Sequence, residues 1–146
     1  MSRFSLPDRF AAVTSIRARA STWLIAIVLA HLVISMLHGT AHTGAHVDLS
    51  RTQNLFVFVV ILAGPLIGLA LMWPAAHLGS WVVAVTMAGS LVFGVVNHFV
   101  LATPDHVLHV DPQWRPLFAT TAVLLAATEA LGVALAIRAI RENKVS

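Results

Sequence analysis

The residues of this sequence that offer the widest range of chemistry are its eight histidines. Imidazole and carboxylate groups that converge on one ion at about 2.0–2.2 Å form transition-metal sites in proteins. Because the chain has no cysteine, its ligands favour Zn²⁺, Fe²⁺, Mn²⁺ or Cu²⁺ and disfavour Cu⁺. The candidate ligands fall in two short stretches of the chain and are His38, His42, His46, His98, Asp105, His106 and His109.

The spacing of the first histidines indicates a polar stripe along a helix, although Gly39 and Gly44 suggest that the helix unwinds there. Separations of four, three and four residues place side chains on one helix face, and these separate His31, Ser35, His38 and His42. A second stripe with helical spacing consists of Thr86, Ser90 and Asn97. Because polar groups that face lipid are costly, both stripes predict a polar pocket or channel that opens toward the histidines.

Glu129 is the one charged residue in the last long apolar segment. Counting from the segment ends places Glu129 and His31 at a similar depth near the membrane midplane. Ionisable residues at such a depth are usually functional, so we predict that the two residues pair and have a catalytic, proton-relaying role. Two alternatives stay open, namely a protonated Glu129 that bonds a neighbour and a deeper metal site that Glu129 completes.

The elements that must position these residues are membrane helices. Hydrophobic residues make up 58% of the chain and charged residues 10%, whereas soluble domains have about 25% charged residues. No charged residue occurs between Arg19 and Asp48 or between Thr52 and Pro104. The first uncharged stretch is long enough for one membrane span, and the second is long enough for two. The pattern predicts an all-α membrane protein, an up-down-up-down bundle with transmembrane helices at about 21–39, 54–73, 80–101 and 116–138.

Charge predicts the orientation and the ends of the membrane domain. Basic residues concentrate on one side of the predicted spans: Arg3, Arg9, Arg17, Arg19, Arg138, Arg141 and Lys144. The positive-inside rule then places both termini in the cytoplasm. We predict an amphipathic interfacial segment at 1–20, a membrane domain at 21–139 and a tail at 140–146. The chain would sit in a bacterial inner membrane with its histidine cluster on the periplasmic side.

Three functions are compatible with this pattern, and the sequence does not decide whether the protein is an enzyme. The first is a metal-dependent membrane enzyme with a lipid-soluble substrate. The second is a b-type haem electron carrier with His38 and His98 as ligands, since the predicted architecture resembles that of four-helix membrane cytochromes. The third is a non-enzymatic role as a small transporter, a pH or metal sensor, or a complex subunit. A lipid-shaped cavity would favour the enzyme, and a continuous polar path would favour transport.

The sequence predicts that the chain contacts the lipid bilayer. Nucleic acid is excluded as a partner, because the basic residues lie near the ends of apolar runs and form no patch with interleaved aromatic residues. Gly64 and Gly68 form a GxxxG pair, which permits close helix approach within the chain or dimerisation. A homo-oligomer and a larger membrane complex both stay open.

Overall fold

Four helices make up the part of the chain that the computed structural model describes, which is the backbone of residues 6–143 and the side chains of residues 22–143. They are α1 (Leu6–Gly44), α2 (Arg51–Leu71), α3 (Ala76–Val100) and α4 (Arg115–Asn143). Each is long and apolar enough to cross a membrane, α1 through its part Thr22–Gly44. The described residues contain no strand.

This arrangement confirms the prediction of an all-helical fold with four membrane-like helices. The up-down-up-down topology and the cytoplasmic termini stay predictions. The predicted segments 1–20 and 140–146 reach beyond the described residues, and only their backbone at 6–20 and the residues 140–143 belong to the structure.

Gly39 does not unwind α1, contrary to the interpretation of its sequence. The helix continues through Gly39 and ends at Gly44. A Cβ atom on Gly44 would overlap the indole ring of Trp114, so a glycine here lets the loop that precedes α4 pack against the helix end. Because the helix continues through the position of His42, that residue keeps the helical spacing of the polar stripe.

Two of the helices contain π-helical segments. In α2 the segment is Val57–Ala63, and in α3 it is the last turn, Val96–Val100. π-Helical turns are rare and are frequently found at functional sites. Both segments contribute to the polar groups described below, one through a carbonyl oxygen and the other through a histidine.

Apolar residues form two clusters that lie at different levels of the bundle. The larger cluster joins α1, α3 and α4 and consists of Leu24, Val28, Val83, Ala84, Met87, Ala136 and Ile140. The smaller cluster lies at the other end and consists of Ala41, Val47, Val110 and Phe118. Along α1 and α4 the buried residues between these clusters are mainly polar and include His31, Ser35, His38, Thr121 and Glu129. We call this level the polar layer.

The outer surface of the bundle is apolar. Large aliphatic and aromatic side chains project from all four helices, and Val33, Phe58 and Val123 are 60%, 65% and 56% exposed. Soluble proteins rarely expose contiguous apolar surfaces of this kind. The exposed apolar surface and the four long apolar helices are both typical of a multi-pass membrane protein in contact with lipid.

The GxxxG pair of α2 faces α3 of the same chain. A Cβ atom on Gly64 would lie 2.5 Å from Thr86 Cγ2, and one on Gly68 would lie 2.6 Å from Val83 Cγ2. Small residues at these positions let the two helix backbones approach each other closely. The pair therefore holds α2 against the bundle.

A leucine at Gly68 should destabilise this helix pair. Its side chain would meet Val83 and the carbonyl oxygen of Gly79, and overpacking of this kind costs about 1–3 kcal/mol. We expect Gly68→Leu to lower the melting temperature in detergent, while Ala70→Leu, at an exposed position of the same helix, leaves it nearly unchanged. Equal melting temperatures for the two variants would contradict the close contact.

Candidate metal centre

Three histidines from two helices meet at the end of the polar layer that is close to Phe118. His38 and His42 lie on successive turns of α1, and His98 lies in the π-helical turn of α3. One ring nitrogen of each histidine lies within 4.8 Å of those of the other two. His38 and His98 are buried and His42 is half-buried. We call this group the three-histidine site.

The π-helical turn and the loop after it hold His98 in place. The chain leaves the helix at Leu101, and the loop folds back so that Val107 N–H donates to the carbonyl oxygen of His98 at 3.0 Å. In the same loop, the carbonyl oxygen of Asp105 lies 3.1 Å from His98 Nδ1 and accepts a hydrogen bond from it. His98 Nε2 is then left without a hydrogen.

His42 is fixed by the turn that ends α1. His46 takes a left-handed conformation with φ 52°, and its N–H donates to the carbonyl oxygen of Thr43 at 3.3 Å. Val47 N–H donates to the carbonyl oxygen of His42 at 3.0 Å, which completes a Schellman motif. The turn also brings the Val47 carbonyl oxygen to 3.2 Å from His42 Nδ1, which donates to it. His42 Nε2 therefore keeps a free lone pair.

His38 is oriented by Thr121 on α4. His38 Nδ1 lies 2.8 Å from Thr121 Oγ1, whose own hydrogen is donated to the carbonyl oxygen of Leu117 at 2.7 Å. With this donation the hydroxyl accepts from the imidazole, which assigns the hydrogen of His38 to Nδ1. As in the other two rings, Nε2 is left as an acceptor.

With these assigned tautomers, His38 and His98 face each other through two acceptor nitrogens. Their Nε2 atoms lie 3.1 Å apart, and neither carries a hydrogen in the tautomers set by the surrounding bonds. Two lone pairs that face each other at this distance repel. Metal-ligating histidines usually have the other ring nitrogen bonded to a carbonyl or similar acceptor, as here. In these tautomers each of the three rings keeps a lone pair, and the group could hold a metal ion.

A buried carboxylate adds negative charge beside the three rings. Asp105 is 5% exposed, and neither of its carboxylate oxygens has a hydrogen-bond partner. Its Oδ1 lies 3.2 Å from His98 Nδ1 and 3.4 Å from His42 Nε2. Burial of a carboxylate without a donor or a counter-charge is strongly unfavourable. A cation held by the three histidines would balance this charge.

Phe118 packs against all three imidazole rings. Its ring centroid lies 4.6 Å from that of His38, 4.8 Å from that of His42 and 5.2 Å from that of His98. The phenyl ring closes one side of the site to water and restricts how the imidazoles can turn. No pattern in the sequence distinguishes Phe118 from the other apolar residues of α4, so sequence reasoning did not identify it.

The remaining predicted ligands lie outside the three-histidine site. His46 is exposed at the turn after α1 and lines the cavity described below. His106 and His109 lie beside each other in the loop before α4, with ring centroids 5.1 Å apart. His106 Nδ1 accepts from Leu108 N–H, and His109 Nδ1 donates to the carbonyl oxygen of Thr103. The structure thus brings together His38, His42, His98 and Asp105 from the predicted set.

The two deep ionisable residues also lie close to each other. His31 Nδ1 and Glu129 Oε1 are 3.8 Å apart, and the residues are 1% and 3% exposed. His31 Nε2 donates to the carbonyl oxygen of Ile61, at 3.1 Å, in the π-helical segment of α2. His31 Nδ1 is left buried and without a hydrogen-bond partner. A small movement would join this nitrogen to the Glu129 carboxyl.

One cavity of about 560 Å³ connects the three-histidine site with Glu129. Its wall includes His38, His42 and His98 at one end and Glu129 deeper in the bundle. Beyond Glu129, the larger apolar cluster, which includes Leu24, Met87 and Ala136 among the described side chains, packs α1, α3 and α4 together. The cavity therefore has the form of a pocket.

Loss of the Thr121 hydroxyl should weaken cation binding through His38. In Thr121→Val the shape is kept, but His38 Nδ1 loses the acceptor that fixes its tautomer and orientation. Substitution of such supporting partners typically lowers metal affinity by about 10-fold or more. The dissociation constant for Co²⁺, measured by competition with a chelator, should rise accordingly, and Thr120→Val, on the exposed side of α4, should leave it unchanged. Equal constants for both variants would show that Thr121 does not position His38.

Comparison with known proteins identifies no relative: no family model, curated protein or solved structure matches this chain.

Proposed function

We propose that this protein is an integral membrane metal-binding protein whose transition-metal ion is held by His38, His42 and His98. The observation that carries the proposal is the 3.1 Å approach of His38 Nε2 and His98 Nε2, together with a ring nitrogen of His42 within 4.8 Å of the ligand atoms of both. Two nitrogens at 2.0–2.1 Å from a tetrahedral ion are about 3.3 Å apart. The rings therefore need little movement to bind.

A three-histidine ligand set leaves room for a further ligand on the metal. Catalytic zinc sites have three protein ligands and keep the fourth position for water or substrate, whereas structural sites use four. Asp105 Oδ1 is close enough to His42 to join the metal or to bond to a ligand on it. Zn²⁺, Fe²⁺, Mn²⁺ and Cu²⁺ all accept imidazole and carboxylate, and the proposal covers these four ions.

The direct contact between His38 and His98 favours a metal ion over haem. Axial ligands reach haem iron from opposite faces of a flat macrocycle. His38 and His98 instead face each other at 3.1 Å, with Phe118 packed against both rings. A porphyrin between them would require the two helices to separate.

The pocket form of the cavity favours chemistry on a bound molecule over passage of an ion. We propose that the metal acts on a lipid-soluble substrate in a bacterial inner membrane, with the three-histidine site toward the periplasm. Support for this orientation comes from the basic residues near both chain termini, which the positive-inside rule assigns to the cytoplasm.

Glu129 and His31 are proposed as the proton-holding pair of this site. Both are buried, and Glu129 lines the same cavity as the three histidines. A carboxyl at this depth is least costly when it carries a proton that His31 Nδ1 can accept. Difference infrared spectra should show the carbonyl band of a protonated carboxyl, absent in Glu129→Gln. If the band persists in this variant, another group holds the proton.

Metal analysis of the untagged protein tests the proposed function. The protein is purified in detergent without chelators, and bound metals are counted by mass spectrometry. We expect about one transition-metal ion per chain, or recovery of one ion when the chelator-treated protein is reloaded with Zn²⁺ or Co²⁺. No binding after reloading would overturn the proposal, and iron accompanied by a Soret band would replace it with haem.

A further inference from the structure

We propose that the cavity binds a lipid-soluble molecule with a polar group at each end of an apolar body, one group on the metal and the other at Glu129. This inference rests on the proposed metal site and names the class of molecule that it would receive. It is carried by three features of the cavity, namely its wall, its deep end and its mouth.

The wall of the cavity is mainly apolar between two polar ends, because its two serines, Ser35 and Ser90, donate their hydroxyl hydrogens to carbonyl oxygens of their own helices. Ile61 and Leu62 of α2, Phe93 of α3, and Leu125 and Ala126 of α4 line its middle part. Its volume of about 560 Å³ lies within the usual range for small-molecule pockets, about 300–1,000 Å³. A molecule with an apolar body matches this wall, and a fully polar molecule does not.

The deep end of the cavity offers an unused polar group. Glu129 is 3% exposed and lines the cavity, and its Oε1 lies 3.8 Å from His31 Nδ1. A purely apolar chain would leave this carboxyl without a partner, which is unfavourable. His31 and His38 are seven positions apart, which corresponds to about 10 Å along the helix. The two polar groups of the ligand should be separated by a similar distance.

The mouth of the cavity lies between exposed faces of α1 and α2. Met36 is 51% exposed and lines the cavity, as do the exposed residues Gly39 and Asn54. A Cβ atom on Gly39 would meet no other atom within 4 Å, so this part of the mouth is open. Because Met36 and Gly39 belong to a membrane-like segment, a ligand would enter sideways from the bilayer.

Hydroxamic acids of graded chain length test the proposal on the Co²⁺-loaded protein, because the hydroxamate group chelates metals. We compare alkyl hydroxamates with ω-hydroxyalkyl hydroxamates of equal length at one detergent concentration. Affinity should rise roughly three- to fourfold per methylene while the chain fills the cavity. At the length that spans about 10 Å, the terminal hydroxyl should add a further five- to tenfold. Glu129→Leu should remove this second gain.

Two variants at neighbouring positions distinguish binding in the cavity from partitioning of the ligand into detergent. Ala126→Phe fills the cavity and should abolish the chain-length dependence while acetohydroxamate still binds. Ala127→Phe is the matched control, because Ala127 is exposed on the same helix and should change nothing. Chain-length dependence that is equal in both variants would overturn the inference and leave the metal site intact.

A metal-independent measurement keeps the inference testable if no metal binds. The chain has no cysteine, so Ala126→Cys introduces a single thiol on the cavity wall. Long ω-hydroxyalkyl hydroxamates should slow its alkylation by N-ethylmaleimide by tenfold or more, whereas Ala127→Cys should be unaffected. Protection in a protein that binds no metal would support the cavity, whereas the metal analysis alone decides the metal site. The absence of protection at both positions would overturn the inference.

Discussion

Replacement of His98 by alanine is expected to lower the affinity for Co²⁺ or Zn²⁺ by more than about 100-fold. Substitutions that only disturb the support of a metal ligand lower affinity about 10–100-fold, so the loss of one of three ligands should exceed this range. The effect should be large because one ring nitrogen of His98 lies within 4.8 Å of those of both other histidines and the His98 ring is packed by Phe118. The Co²⁺ visible spectrum and a chelator competition measure it directly.

Histidine variants outside the site are the controls for His98→Ala. His106→Ala and His109→Ala remove imidazoles of the same chain that lie in the loop and contact each other. If cation binding involves the three-histidine site, these variants should keep the affinity of the unmodified protein within about twofold. A similar loss in His109→Ala and His98→Ala would move the site to the loop and refute the proposed ligand set.

Replacement of Asp105 by asparagine should lower the stability of the metal-bound protein but not that of the metal-free protein. Without metal, the variant removes a buried charge that has no hydrogen-bond donor, so its melting temperature should equal or exceed that of the unmodified protein. With metal at a thousand times its dissociation constant, the unmodified protein gains about 4 kcal/mol. The variant should lose at least half of this gain, because the charge that attracts the cation is gone.

A second aspartate of the same loop provides the control for Asp105. Asp111 is exposed, and its carboxylate accepts from Gln113 N–H at 2.8 Å. Asp111→Asn should leave the metal-induced shift in melting temperature unchanged. If Asp105→Asn instead lowers the melting temperature equally with and without metal, Asp105 has a structural role and does not compensate a cation.

The long apolar segments made the helical fold predictable. No pattern in the sequence predicted which of the candidate ligands lie close together. Hydropathy and the absence of charge identify membrane helices because lipid excludes charge along the whole span. The sequence also predicted that His38 and His42 share a helix face. It did not separate His98 from His106 and His109, because that choice depends on the π-helical turn of α3 and on the fold of the loop after it.

Hydrogen bonds to the backbone explain why sequence reasoning missed the tautomers. His42 and His98 donate to the carbonyl oxygens of Val47 and Asp105, which every residue type provides. Thr121 contributes a side chain to this support, and a threonine in a membrane helix is more often bonded to its own backbone. Thr121 makes both kinds of contact, with Leu117 and with His38.

The π-helical turn at the end of α3 makes the site sensitive to insertion and deletion as well as to substitution. A π turn contains one more residue than the α turn it replaces, and each residue of an α-helix rotates by about 100°. Deletion of one residue just before His98 would restore an α-helical turn and rotate the imidazole away from His38, although every ligand would still be present in the sequence. A single codon gained or lost in this helix would therefore be enough, during evolution, to create or abolish the three-histidine site.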